Sequence, residues 1–407
     1  MTIMSPAMTP AATPAMAPTP TTAPSPSSPA GAVLGAPSST AHLYRSPAPV
    51  GGRAPYTLSA KLPVETLKSW LYDLMLIREF ELKTMAAYQQ AKIGGFCHIY
   101  IGQEACVVGP FAAIEKTDPV VTAYRDHGHA LARGMSPEAC MAEMYGKAAG
   151  CAKGKGGSMH MFDKPNWLFG GHGIVGAQTA LGAGLAFAAK YEWEVLKTGP
   201  KKVCLAYLGD GALNQGCFHE ALNLAGLYSL PVIFIVENNG YSMGTAIERG
   251  TTMAHNLCLK AAGYGIDGVQ IEGMDVMSLY DQFKPYADEC REKQKPGFVD
   301  LKTYRYQGHS MSDPQKYRTK EEVAAFQERD PVMLLSNYLL NERKALSEAD
   351  YQAMQNKVKE AVRASVDFAE ASPVPELSEL YTDVYAEPMP NLTPGREYTH
   401  GAKNPLL

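Results

Sequence analysis

Residues 203–244, VCLAYLGDGALNQGCFHEALNLAGLYSLPVIFIVENNGYSMG, leave the chain few ways to fold. The stretch begins with an apolar run of strand length, Val203–Leu208, and Gly209-Asp210-Gly211 then turns the chain sharply. The pattern predicts a helix over Cys217–Leu227 and a second strand over Val232–Val236, ending in Glu237-Asn238-Asn239. A strand–loop–helix–strand unit brings both polar tips to one edge of a parallel sheet, where ligands bind outside the carboxyl ends of the strands. Asp210 and Asn239 then face one crevice. Mg²⁺ takes oxygen ligands and keeps few protein groups beside phosphate oxygens and water, so the unit suits a metal diphosphate. GDG alone reads as an ordinary glycine turn. The paired asparagines, with residues 212–237 between, shift the balance to the diphosphate.

The rest of the chain alternates in the same manner. Leu67, Leu71, Leu74 and Ile77 predict a helix over Val64–Lys92, stopped by Gly94-Gly95, and a second helix starts near Glu104. Val120–Tyr124 reads as a buried strand, and Ser136-Pro137-Glu138 as a helix start with Ser136 as the cap. Residues 177–190 predict an Ala/Gly-rich helix, packed within the core or at a subunit interface. Beyond the opening unit, helices are expected over His255–Gly263 and Val276–Lys293, and strands over Val269–Glu272 and Phe298–Tyr304. From Lys320 to about Ala371 the chain is charged and mostly helical. The expectation is an α/β fold with a parallel sheet and helices on both faces.

Three regions are expected: a Pro/Ala/Ser/Thr-rich tail over 1–55, a main domain over 56–330, and a helical extension with a tail over 331–407. The tail carries no acidic residue, and composition of this kind predicts disorder. Its first arginine is Arg45, which argues against an arginine-rich mitochondrial presequence. A bacterial cytoplasmic protein is the preferred reading and the mitochondrial matrix the alternative. A hydrophobic share of 46% in 407 residues supports a sizeable core, and a net charge of −4 points away from nucleic acid. No apolar run has the length to span a bilayer. The eight cysteines are scattered without a CxxC pair, which predicts unpaired thiols in a reducing compartment and no structural zinc.

Other clusters carry chemistry. Tyr124-Arg125 ends a strand, where an arginine can pair bidentately with phosphate. Gly173-Ile174-Val175-Gly176 offers backbone groups to a flat heterocycle beside a helix start. Residues 150–176 are glycine-rich and unpatterned, and their embedded Met159, Met161, Trp167 and Phe169 favour an ordered, functional loop. His98 and His309 sit in glycine-flanked loops; His127, His129, His160 and His172 carry no assignment.

GFCHIYIGQEAC, TAYRDHGH, GCAKGKGGSMHMF, GIVGAQ, GDGALNQG, ENNGYSMGT and YRYQGHSMSDP follow one another in this order. From about Leu62 to Tyr385 the chain resembles the alpha subunits of the pyruvate dehydrogenase component of 2-oxo acid dehydrogenase complexes. The resemblance implies a thiamine-diphosphate-binding fold and an α₂β₂ heterotetramer that holds thiamine diphosphate and Mg²⁺ between its subunits. It implies oxidative decarboxylation of pyruvate, with acetyl transfer to a lipoyl group on an acetyltransferase core, feeding acetyl-CoA formation. Carried over by position, Asp210, Asn239 and the Tyr241 carbonyl are the Mg²⁺ ligands. Tyr124, Arg125, Gly211 and Ala212 hold the diphosphate, and Gly173 and Val175 contact the aminopyrimidine. His98 and His309 line the substrate end, stabilising charge or relaying protons. The carboxylate that activates the ring amine comes from the beta subunit, so Glu237 is expected to be structural.

The chain departs from the animal pattern at a few positions. Gln307 stands where those enzymes have histidine, and Lys316 and Ala246 replace two phosphorylatable serines while Ser310 is kept. Two alternatives remain: an acetoin or branched-chain 2-oxo acid dehydrogenase alpha subunit, and a non-catalytic phosphate-binding scaffold.

Overall fold

Six parallel strands form the central sheet of the computed structural model, in the order β2-β1-β3-β4-β8-β7. Residues 56–383 are described; the tail expected to be disordered, 1–55, and residues 384–407 lie outside them. The first half of the described chain contains α1 (Val64–Gln89), α2 (Ala105–Ala113), β1 (Val120–Ala123), α3 (His127–Arg133), α4 (Pro137–Met144), β2 (Leu168–His172), α5 (Ala177–Tyr191), β3 (Cys204–Gly209) and α6 (Gly216–Tyr228). The second half contains β4 (Val232–Asn238), a small hairpin of β5 (Tyr241–Ser242) and β6 (Thr245–Ala246), α7 (Ile247–Gly250), α8 (Cys258–Ala262), β7 (Gly268–Glu272), α9 (Val276–Lys293), β8 (Gly297–Lys302), α10 (Lys320–Gln327), α11 (Pro331–Asn337) and α12 (Glu348–Ala371).

Side chains alternate across the strands, as a two-residue period requires. In β3 and β4, Leu205, Tyr207, Ile233 and Ile235 enter a core shared with α1, α2, α9 and α12. Their neighbours Cys204, Ala206, Leu208, Val232, Phe234 and Val236 enter a second core under α5 and α6. Both faces of the sheet are therefore covered by helices, as expected. From β1 the chain crosses to β2 on one side and then to β3 on the other. That reversal opens a crevice beyond the carboxyl ends of β1 and β3.

Local signals held where they rested on periodicity or capping. Leu67, Leu71, Leu74 and Ile77 are fully buried, and the Ser136 side chain accepts from the Ala139 amide at 3.1 Å. Helix α1 stops at Gln89, short of the expected Lys92, because Ala91 takes φ 57° ahead of the glycines. The helix expected over His255–Gly263 is reduced to α8, since residues 252–255 form turns. Within the glycine-rich stretch, β2 was not foreseen: LFGGH has no alternation and becomes a strand by pairing with β1.

The small residues of α5 serve two faces. A Cβ at Gly182 would lie 2.6 Å from the Ala206 Cβ and 3.3 Å from Val121 Cγ1, so this face sits directly on the sheet. Its other face leaves Leu181 and Phe187 exposed. Gly182→Val forces the helix off the strands and is expected to lower stability by about 1–3 kcal/mol, the usual cost of overpacking. Urea unfolding monitored by circular dichroism checks this.

Candidate active site

The loops that follow β1, β3, β4 and β8 meet at the crevice and enclose a cavity of about 280 Å³. Nine of the residues singled out in the sequence line it: Tyr124, Arg125, Val175, Asp210, Gly211, Ala212, Asn239, Tyr241 and His309. The strand ends place them. β1 delivers Tyr124 and Arg125, β3 delivers Asp210, and β4 delivers Asn239. Gly211 lies against Ser242, leaving no room for a Cβ.

Asp210 is buried, and burial raises its carboxyl to about 6. One oxygen accepts from Ser242 Oγ at 3.3 Å. The other, Oδ2, is buried without a hydrogen-bond partner. The two asparagines divide the work. Asn238 donates to the buried Asp300 at 2.8 Å and accepts from the Gly240 amide at 3.3 Å, which shapes the turn. Asn239 faces the cavity, its Oδ1 accepting from the Tyr241 amide at 3.1 Å. Among the described residues no group of three or more His, Cys, Asp or Glu side chains is gathered for a metal. An orphaned carboxylate oxygen beside an amide oxygen nevertheless fits a hard cation that shares its shell with phosphate and water.

The cavity also holds two guanidinium groups. Arg125 donates to the carbonyls of Ile99 and His309, both at 2.7 Å. Arg305 donates to the Gln307 carbonyl at 3.0 Å and to Tyr317 Oη at 3.4 Å. Neither makes an ion pair among the described residues, and both are buried. Burial, and then the charge of Arg305, lower Arg125 to about 10. Two buried cations without a direct ion pair in one cavity favour an anion.

His98 and Gly173 are not part of the cavity wall. A Cβ at Gly173 would meet the His160 ring at 3.0 Å. The His98 ring packs on Tyr124 and His309, with centroid separations of 4.6 and 5.3 Å. Burial, then Arg125, lower His98 to about 2 and His309 to about 4, so both rings are neutral near pH 7. Four wall residues, Gln103, Gln178, Ser242 and Arg305, lie inside the quoted motifs but were assigned no role there. Arg305 lies inside YRYQGHSMSDP, and its one signal is a charged residue just past a strand. Glu237, expected to be structural, also lines the wall; Tyr100 Oη donates to it, and burial raises its carboxyl to about 7.

A parallel α/β sheet with two buried arginines in the crevice at its switch point defines a site for an anionic ligand. The chain belongs to the dehydrogenase E1 component family, whose model matches residues 72–378. It is 49% identical to the pyruvate dehydrogenase E1 component subunit alpha of Rickettsia bellii, over 79% of this chain and 96% of that protein. The subunit of the same name from Rhizobium meliloti is 48% identical, over 77% of this chain and 88% of its own length. A chloroplastic pyruvate dehydrogenase E1 component subunit alpha-3 of Arabidopsis thaliana is 41% identical, over 78% and 73% of the two chains.

The depressed histidine bears on stability. His309 titrates near 4 when folded, against 6.5 in an unfolded chain. Between those values the unfolded chain binds a proton that the folded chain refuses, so stability is lost as pH falls through this window. His309→Gln is expected to flatten that decline in urea titrations between pH 7 and about 4.

Proposed function

We propose that this chain is the alpha subunit of an acetyl-transferring pyruvate dehydrogenase that uses thiamine diphosphate with Mg²⁺. The family implies thiamine diphosphate dependence. The reading rests above all on one observation: Arg125 and Arg305, without ion pairs, share a cavity with the orphaned Asp210 Oδ2. In it, Asp210, Asn239 and the Tyr241 carbonyl hold Mg²⁺. The arginines, with Tyr124 and the Gly211-Ala212 turn, hold the diphosphate. Backbone groups of Gly173 and Val175 orient the aminopyrimidine.

Bound there, the cofactor supplies the carbanion nucleophile and the electron sink, while the protein binds and orients it. Neutral His98 and His309 act as N–H donors toward oxygen atoms that gain charge during decarboxylation and acetyl transfer, and as proton relays. An imidazole that titrates well below neutrality does this without adding a fixed charge.

The site is completed by a second polypeptide. Ile174, 77% exposed, and half-exposed Val175 sit beside the cavity, and Leu181, Phe187, Leu224, Leu227 and Tyr228 are exposed on α5 and α6. Apolar exposure on this scale marks an interaction surface, which supports a beta subunit in an α₂β₂ assembly. The acetyl acceptor is a lipoyl group of an acetyltransferase core. The bacterial relatives support a bacterial cytoplasmic enzyme, with the mitochondrial matrix as the alternative. No described helix is long and apolar enough to cross a membrane.

With beta subunit present, turnover is expected to favour pyruvate over 2-oxoisovalerate and acetoin; a preference for either of those reassigns the substrate. Without it, pyruvate turnover is expected to vanish. Asp210→Ala is expected to abolish Mg²⁺-dependent cofactor binding in calorimetric titrations. Arg305→Ala is expected to weaken it by about 1.5–3 kcal/mol, the worth of a hydrogen bond to a charged group. Unchanged affinity in both variants removes the basis of the site.

A further inference from the structure

Residues 97–101 carry His98 and are neither helix nor strand, yet all five are buried. Their main chain is held along both edges. On one edge the carbonyls of Cys97, Ile99 and Ile101 accept from the Met311 amide (3.0 Å), Arg125 (2.7 Å) and the Tyr306 amide (3.0 Å). On the other edge the His98 amide donates to Ser158 Oγ at 3.3 Å and the Tyr100 amide to Glu81 at 2.8 Å. Such alternation is what an extended segment gives when gripped from both sides.

The two acceptors on the amide edge come from distant parts of the chain, α1 and the glycine-rich loop. One ring joins them. His127 Nδ1 lies 3.0 Å from both Glu81 oxygens, and its Nε2 lies 2.9 Å from Ser158 Oγ and 3.0 Å from the Ser158 carbonyl. Glu81 and His127 are fully buried and Ser158 nearly so, and none of the three lines the cofactor cavity. The glutamate–imidazole–serine chain therefore has no access to the cavity, and its output is geometric. An imidazole is rigid, so it fixes the Ser158 hydroxyl relative to Glu81, and these two fix the amides on either side of Ile99.

We propose that the Glu81–His127–Ser158 chain is a positioning device for His98, setting the backbone from which its ring reaches Tyr124 and His309. This rests on the functional reading of His98 given above. The carbonyl edge alone does not define the segment, because Met311 and Tyr306 belong to a long loop that is itself held by Arg125 through the His309 carbonyl. The amide edge is anchored instead to buried groups behind the segment.

The test is a double-mutant cycle in enzyme reconstituted with beta subunit, saturating thiamine diphosphate and Mg²⁺. Ser158→Ala removes the acceptor of the His98 amide, and His98→Ala removes the ring. Ser158→Ala is expected to lower kcat by on the order of tenfold to a hundredfold, the scale of a misplacement of about 1 Å. Thiamine diphosphate affinity, read by calorimetry, stays unchanged, and Ser158→Thr recovers most of the rate. In the His98→Ala background, Ser158→Ala costs nothing further. Losses that multiply in the double variant, or an unchanged kcat in Ser158→Ala, overturn the proposal. An unchanged kcat in His98→Ala instead overturns the reading of His98 itself. His127→Asn breaks the bridge while leaving the serine hydroxyl; it enters the same cycle and decides the matter if Ser158→Ala does not fold.

Discussion

Everything around the cavity depends on how Arg125 is held. It leaves the end of β1 and donates to the carbonyls of Ile99 and His309, residues far apart in sequence. A guanidinium has five N–H donors, so two such bonds leave others for the cavity. The cost is desolvation of a cation, visible as its lowered pKa, and Arg305 nearby adds repulsion. An arriving polyanion relieves both. The same charge that joins the two loops thus makes the cavity receptive to an anion.

Carboxylates, buried Glu143 and half-buried Asp313, do the complementary work on loops that have no periodic structure. Glu143, on α4, accepts from the amides of Ala152, Gly154, Gly156 and Gly157 at 2.7–3.0 Å. Gly154 and Gly157 have φ of +76° and +60°, where a side chain would be strained. Asp313 accepts from the His309 and Gln315 amides and from Tyr317 Oη. In each case an anion inside the loop replaces the hydrogen-bond ladder that a helix or strand would supply. The ordered conformation expected for residues 150–176 has its physical cause here.

Sequence carried the sheet and most of the cavity, because both follow from short-range patterns. Val203–Gly244 shows its strand, turn, helix and strand in periodicity, and the polar tips follow from chain direction alone. Strand β2 was hidden because Leu168–His172 becomes a strand only beside β1. Arg305 was hidden for a related reason: its approach to Arg125 is set by β8 lying next to β4, which no local pattern in residues 297–305 encodes. His98 had been expected in the site wall, but its ring packs on Tyr124 and His309 instead, a consequence of long-range grips on residues 97–101.

The cavity wall draws on residues from Gln103 to His309, and it includes the ends of four strands. A ligand bound there ties together β1, β3 and β4 in the middle of the sheet with the loops that follow them. By linkage, a ligand at one hundred times its Kd stabilises the folded form by about 2.7 kcal/mol. That is as large as many single-residue defects. A ligand in this crevice is therefore part of what holds the fold, and a weakened core far from the cavity draws more of the binding free energy into folding.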